Sequence, residues 1–371
     1  MSDPAARAGA ILSIDLAALC ANWRVLADRV GPRSQAAAVV KADAYGLGAA
    51  HVAPALLAAG CRRFVVATLD EGIALRPLLP GADILILSGP LPGGEADFHA
   101  YGLLPVLNSP EQIAGWAAFA RSSGERLAAV LHVDTGMSRL GLRLSEVRAL
   151  AEDRETLSAI DLKLIMSHLA CADEVGHPLN RRQLENFNAA RASFPDLPGS
   201  LAASSGIFLG ADWHADWVRP GAALYGVNPL PGRPNPMRQV VRLQGRILQV
   251  RDVDAGDTVG YGATHRCTAP TRLAIVAAGY ADGLFRSLGN RGCGQLGEIR
   301  VPLIGRVSMD LTIFDVGAVP QTLARPGAVI DLIGPANDVD AVAQAAGTIG
   351  YEVLTALSPR YCRTYVGEAL Q

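Results

Sequence analysis

Short apolar runs alternate with amphipathic stretches through the first 226 residues of this 371-residue chain. Eight of the runs read as strands: Ala36–Val40, Phe64–Thr68, Ile84–Leu87, Leu103–Leu107, Ala128–Val133, Leu162–Ser167, Gly199–Ala203 and Trp217–Tyr225. Between most of them lie segments with apolar residues at three-to-four spacing, such as Gln112–Arg121 and Arg181–Phe194, which predict helices. The connection between the last two strands is weaker, because Ile207–Leu209 is too short for a full helix. Eight strands alternating with helices predict a (β/α)8 TIM-type barrel. An open doubly wound sheet is the competing architecture. It is weakened by the absence of a G-x-G-x-x-G turn after the first strand.

The pattern breaks at Asn228–Pro236, a proline-rich stretch that reads as a linker. Beyond it, Val240–Val250, Arg272–Ala277, Arg300–Ile304 and Leu311–Val316 are strand-like, with turn signals such as Asp254–Asp257 and one late helix near Val339–Ala346. The expected fold is therefore α/β: an N-terminal barrel over residues 1–232 and a C-terminal mostly β domain over residues 233–371. Half of the residues are hydrophobic and 18% are charged, which suits a globular enzyme and excludes a disordered chain. A net charge of −2 gives no electrostatic case for a nucleic-acid partner. No apolar run approaches the ~18 residues of a membrane span, and Met1–Gly9 does not resemble a signal peptide. Six scattered cysteines without C-x-x-C spacing predict reduced thiols, a cytoplasmic location and no zinc site.

The charged positions carry the chemistry. Lysine occurs only at positions 41 and 163, whereas arginine is abundant. Lys41 ends the first apolar run and opens the loop Ala42–Gly48. An amine can lose its proton when partly desolvated and can form a Schiff base; a guanidinium cannot. In a barrel, residues just past the strand C-termini line the active face. That rule gathers Lys41, Arg139, His168, Ser204-Ser205-Gly206 and Arg219-Pro220-Gly221 at one mouth. The loops after strands seven and eight are the usual phosphate site, where backbone N–H groups near Ser205 or Gly221 could serve. A phosphate beside an amine nucleophile points to pyridoxal phosphate. Each residue also has a plainer reading. Lys41 could be a leftover surface charge, His168 a core histidine, Arg139 a loop cap paired with Asp134, and Ser204-Ser205 ordinary turn chemistry.

Several longer segments resemble the alanine racemase family. They are Val40–Gly46, Asp134–Gly141 and Arg219–Gly226 in the first part, and Val259–Gly262, Gly279–Gly283 and Gly305–Asp310 in the second. The resemblance spans nearly the whole chain. It implies a pyridoxal-phosphate enzyme that interconverts L- and D-alanine, supplies D-alanine for peptidoglycan and works as a homodimer. By position, Lys41 would hold the cofactor as a Schiff base. Tyr45, Ser205, Gly221 and Ala222 would bind its phosphate, with Tyr225 in the same cofactor-binding segment. Arg219 would face the pyridine nitrogen. Arg139 and the Met309 backbone would contact the substrate carboxylate. Tyr261, with His168 beside it, would be the second catalytic base, and Tyr261 and Met309 would reach the other subunit's site.

The chain departs from the family pattern at some positions. Leu47 stands for a frequent histidine, Asp43 for asparagine, Ser204 for asparagine and Pro359 for a phosphate-binding tyrosine. His132 stands where a carbamylated lysine often touches the carboxylate-side arginine, so Arg139 must be oriented differently. The alternatives are a serine or broad-specificity racemase, a decarboxylase of the same architecture and a non-catalytic pyridoxal-phosphate carrier. Arg219 and Tyr261 argue against a decarboxylase, and the second domain argues against a carrier. A single substrate hydroxyl is weakly discriminated in an apolar pocket, so serine is the hardest to separate.

Overall fold

The computed structural model describes residues 4–367; the outermost residues of the two expected domains, 1–3 and 368–371, lie outside it. The eight expected strands close into a parallel barrel. The first forms two short ladder segments, Gln35–Ala36 and Ala38–Val39. Gln35–Ala36 pairs with Trp217–Arg219 and Ala38–Val39 with Arg63–Val66, so this one strand joins both ends of the sheet. Asp83–Ile86, Leu104–Leu107, Leu127–His132, Ile160–Met166 and Gly199–Ala203 complete the ring in chain order. The strands fit a sheet covered on both faces: Phe64, Val65, Val66, Ile84, Leu85 and Ile86 are all fully buried. The two amphipathic stretches lie in helices Pro110–Ser123 and Pro178–Arg191, each with proline at its first position and a side-chain cap from Ser109 or His177.

The eighth strand is shorter than its apolar run. It ends at Arg219, because Pro220 has no N–H for the ladder and the chain then turns into a 3-10 segment, Ala222–Tyr225. Between strands seven and eight there are only short 3-10 turns, Ser205–Phe208 and Ala211–Trp213. Both departures fall on the side of the barrel where a phosphate site was expected.

In the second sheet, Val241–Val253 is the central strand. It pairs antiparallel with Thr271–Val276, Val329–Ile333 and Ala10–Asp15. Ala10–Asp15, which falls inside the 1–232 span expected to be barrel, belongs instead to this sheet and also pairs in parallel with Cys362–Val366, because its backbone partners lie beyond the proline-rich stretch. Thr312–Asp315, Cys293–Leu296 and Ile299–Pro302 complete it. The expected late helix spans Val339–Ala346, and a second, unforeseen helix, Gly350–Ala356, follows it. The proline-rich stretch is pinned: the Asn228 amide donates to Asp340 at 2.8 Å, and the Asn22 side chain bonds the backbone of Leu224 and Arg238. All six cysteines are free thiols. No helix among the described residues is long and apolar enough to cross a membrane.

The second sheet and its helices press on the loop after the first barrel strand. Arg363 donates to the Gly46 carbonyl at 2.6 Å and the Tyr365 hydroxyl to the Leu47 carbonyl at 3.0 Å. A Cβ on Gly46 would lie 2.7 Å from the Leu354 carbonyl oxygen, so this approach requires glycine.

Candidate active site

Lys41 follows the first barrel strand directly and is half-buried. The four residues after it, Ala42, Asp43, Ala44 and Tyr45, all have left-handed backbones with φ of 52° to 56°. A left-handed run of L-residues costs about 1–2 kcal/mol per residue, so surrounding contacts must hold it. Burial lowers the Lys41 amine below its ordinary value; the Arg139 charge lowers it further and Glu71 opposes both. A larger fraction of neutral amine is therefore available than for a solvated lysine.

The left-handed turn delivers Tyr45 into the core. Its ring packs 4.7 Å from that of Tyr225 and 6.1 Å from that of Tyr351. Its hydroxyl sits at Gly221, where a Cβ would lie 2.4 Å away. Burial raises the Tyr45 phenol well above its usual value, so it remains a neutral donor. Tyr225 is fully buried and donates its hydroxyl to the Val39 carbonyl at 2.9 Å. It lies against Tyr45 with its polar group engaged on the first strand, a place that supports Tyr45.

Opposite Tyr45, the buried Ser204 hydroxyl accepts the amides of Gly221 at 3.0 Å and Ala223 at 3.2 Å. The amide of Ala222, between them, has no acceptor among the described residues. Ser205 opens the adjacent 3-10 turn. Tyr45, Ser205 and Ala222 thus offer donors around a glycine with no side chain, a cradle suited to a phosphate. Ser204, read from the sequence only as a departure in the pocket wall, braces the Gly221 turn.

Arg219 is buried at the end of the eighth strand. Its guanidinium donates to the Ser200 hydroxyl and to the carbonyls of Ser167 and Leu201, and lies 3.5 Å from His168 Nδ1. Burial lowers it to about 10, so it remains a cation at neutral pH. His168 is pulled down to about 3 by burial and then by Arg219, Arg139, His132 and Lys41, and is neutral. Arg139 is exposed at the mouth. Its loop is organised by Asp134, whose carboxylate accepts the amides of Gly136, Met137 and Ser138, leaving no ion pair to Arg139. Gln183 on helix Pro178–Arg191 joins this loop to the His168 loop. It donates to the Thr135 hydroxyl and the His168 carbonyl and accepts the Ala170 amide.

His132 ends the fifth strand, buried, with Nδ1 2.7 Å from Asn108 Oδ1. The Asn108 amide nitrogen donates to the carbonyls of Leu87 and Val106, which fixes Oδ1 as the acceptor. His132 Nδ1 therefore carries the proton, and Nε2 has a free lone pair. Burial, then Arg219 and Arg139, hold His132 at about 4. An unfolded chain protonates this imidazole below about pH 6.5, whereas the folded one resists until about pH 4. Its contribution to stability is complete above about pH 6.5 and is lost on acidification towards pH 4, by about 3 kcal/mol. Calorimetry should show Tm falling from pH 7 to pH 4.5, with a shallower fall for His132→Gln; an equal slope in the variant would refute this account.

Tyr261 and Met309 do not join this cluster within the chain. Tyr261 opens a 3-10 turn in the second domain and is 70% exposed; Met309 is 54% exposed, in a loop bonded through its carbonyl to the Ala281 amide. Neither makes a hydrogen bond to Lys41, Arg139, His168 or Arg219. Of the expected residues, one chain brings together Lys41, Tyr45, Arg139, His168, Ser205, Arg219, Gly221 and Ala222, with Tyr225 behind Tyr45. The sequence reading missed Glu71, Ser200 and Asn108. Only Glu71 left a signal, the Thr68-x-x-Glu71 helix-cap spacing.

Barrel, amine and anion cradle define an enzyme of the pyridoxal-phosphate barrel class. Residues 14–229 match the alanine racemase N-terminal domain and residues 240–365 the C-terminal domain, and the chain belongs to the alanine racemase family. It is 56% identical over 97% of its length to the alanine racemase of Rhodospirillum rubrum, covering 97% of that protein. It is 49% identical over 96% of its length to that of Rhizobium meliloti, covering 97% of it. The structure of alanine racemase from Bartonella henselae with covalently bound pyridoxal phosphate superposes with a TM-score of 0.93 at 40% identity, over 97% of this chain and all of that one. The Streptomyces coelicolor alanine racemase does so at 0.92 and 34%, over 99% of this chain and all of that one.

Proposed function

We propose that the protein interconverts L- and D-alanine with pyridoxal phosphate held at Lys41, by a two-base mechanism completed by Tyr261 of a partner subunit. The observation that carries this reading is the single mouth formed by a desolvated Lys41, the Tyr45–Gly221–Ala222 cradle and two arginines, in a chain of this family. Tyr45, Ser205 and the Ala222 amide would hold the phosphate, beside a Gly221 whose own amide is taken by Ser204, and Arg139 with the Met309 amide of the partner would hold the substrate carboxylate. When bound, the cofactor withdraws electrons from the substrate and acidifies its Cα–H bond.

Racemisation removes a proton from one face of Cα and returns one to the other. Lys41 serves one face and Tyr261 the opposite face, so the substrate need not turn over. A free phenol titrates near pH 10 and needs neighbouring cations to act as a base. Arg219 beside His168 supplies cationic charge, and His168 stays neutral beside it. The high exposure of Tyr261 and Met309 in one chain supports their use across a subunit interface. A homodimer with shared sites, a cytoplasmic location and D-alanine supply to peptidoglycan complete the proposal.

Arg219 limits the electron sink. A guanidinium retains its proton, so it cannot protonate a pyridine nitrogen as a carboxylic acid would. Weaker delocalisation disfavours reprotonation away from Cα. Arg219→Glu should therefore increase the side reaction that leaves pyridoxamine phosphate, measured chromatographically after turnover. It should also destabilise the protein by on the order of 3 kcal/mol, because the Ser167 and Leu201 carbonyls lose a donor. Unchanged pyridoxamine phosphate would refute the electronic role.

The reading is tested by incubating the protein with L-alanine in D2O and following α-proton loss and D-alanine formation together. Exchange without D-alanine would exclude the two-base scheme, and no exchange with bound cofactor would exclude racemisation. Faster turnover of L-serine than of L-alanine would favour the broader racemase.

A further inference from the structure

Glu71 plays no part in the mechanism above, yet it touches the turn that carries Lys41. The inference rests on reading Lys41 as the covalent anchor. Four consecutive left-handed residues begin at Ala42, and the first of these amides donates to Glu71 Oε1 at 2.7 Å. The second oxygen of the same carboxylate accepts the Ala67 amide at 2.7 Å and the Thr68 amide at 3.3 Å. Thr68 reciprocates by accepting the Glu71 amide at 3.4 Å, completing a cap on helix Leu69–Leu75. One carboxylate thus bridges the ends of barrel strands one and two.

The rest of the turn is held elsewhere. Asp43 accepts the Ala49 amide at 2.7 Å, and Arg363 and Tyr365 hold the Gly46 and Leu47 carbonyls. At the residue next to Lys41, Glu71 is the side chain that holds the backbone among the described residues. An amide bonded to a carboxylate is worth about 1.5–3 kcal/mol, enough to offset one or two left-handed residues.

We propose that Glu71 is a positioning residue for Lys41: its carboxylate clamps the Ala42 amide and so holds the left-handed turn that presents the lysine to the barrel mouth. Its negative charge acts in the same place, opposing the burial and the Arg139 charge that lower the amine.

The test uses the cofactor-loaded enzyme in three variants: Glu71→Gln, Glu71→Asp and Thr68→Ala. Gln keeps the reach and loses the charge; Asp keeps the charge and loses the reach. Thr68→Ala removes the other half of the helix cap and leaves the Ala42 contact intact. Both Glu71 variants should lower kcat about tenfold or more with KM for L-alanine within about threefold. Glu71→Gln should also move the pH midpoint of the bound cofactor's visible absorbance downward, because a negative neighbour is lost. Thr68→Ala should lower Tm and leave kcat and the absorbance midpoint near wild type.

The proposal is overturned if Glu71→Gln retains the wild-type midpoint and kcat, or if Thr68→Ala reproduces the losses, which would make Glu71 a helix cap alone. A midpoint shift in Glu71→Asp, which keeps the charge and loses the reach, supports the positioning role even if the wild-type protein fails to racemise alanine. The two readings therefore fail separately.

Discussion

Replacing Lys41 by arginine should reduce alanine racemisation by about 10⁴-fold or more and end covalent attachment of the cofactor. The substitution retains positive charge and much of the volume at a half-buried position, so the fold should survive. What it removes is an amine that can shed its proton; a guanidinium can neither form the Schiff base nor take a proton from Cα. The chain supplies its own control. Lys163 is an exposed side chain on strand Ile160–Met166, paired with Asp161. Lys163→Arg should leave activity unchanged and stability within about 0.5 kcal/mol. Borohydride reduction followed by peptide mass analysis reads the attachment directly, since only two lysines compete. Cofactor trapped at Lys163, or an active Lys41→Arg enzyme, would refute the assignment.

Tyr261→Phe should remove one of the two bases. Racemisation should fall by about 10²–10⁴-fold, while exchange into the enantiomer whose α-proton faces Lys41 should persist without inversion. Because Tyr261 is exposed and unattached to the site in its own chain, its loss should be repairable from another subunit. Mixing Lys41→Arg and Tyr261→Phe protomers under exchange conditions yields hybrids with one complete site. Activity should recover to about a quarter of wild type at equal mixing. Two inactive parents that remain inactive when hybrid dimers have formed would exclude a shared site. Equal loss of exchange from both enantiomers in Tyr261→Phe would instead make the phenol a structural group.

The barrel was legible because its signal is local. Each strand is a short apolar run, each helix repeats every three to four residues, and the rule that strand ends line the active face pointed to Lys41, Arg139, His168 and Arg219, whose charges act on one another in the folded chain. The errors have equally physical causes. The run Trp217–Tyr225 is apolar throughout, but Pro220 cannot bond to a neighbour, so the strand stops at Arg219 and its tail becomes part of the anion cradle. Ala10–Asp15 is apolar enough for a strand, yet its partners lie more than 200 residues away. Asn108, just past the fourth strand, and Ser200, within the seventh, looked like ordinary polar residues; their importance depends on the buried His132 and Arg219 that they bond.

Residue chemistry and short-range periodicity are written along the chain, and they alone determined the alternating architecture, the scarcity of amines and the candidate set at the strand ends. Only the folded molecule decided the left-handed turn after Lys41, the proton position on His132, the neutrality of His168 and the separation of Tyr261 from the Lys41 cluster within one chain. Those properties arise from desolvation and from contacts between residues tens to hundreds of positions apart. Their energies depend on distance in space, which no local pattern of side chains records.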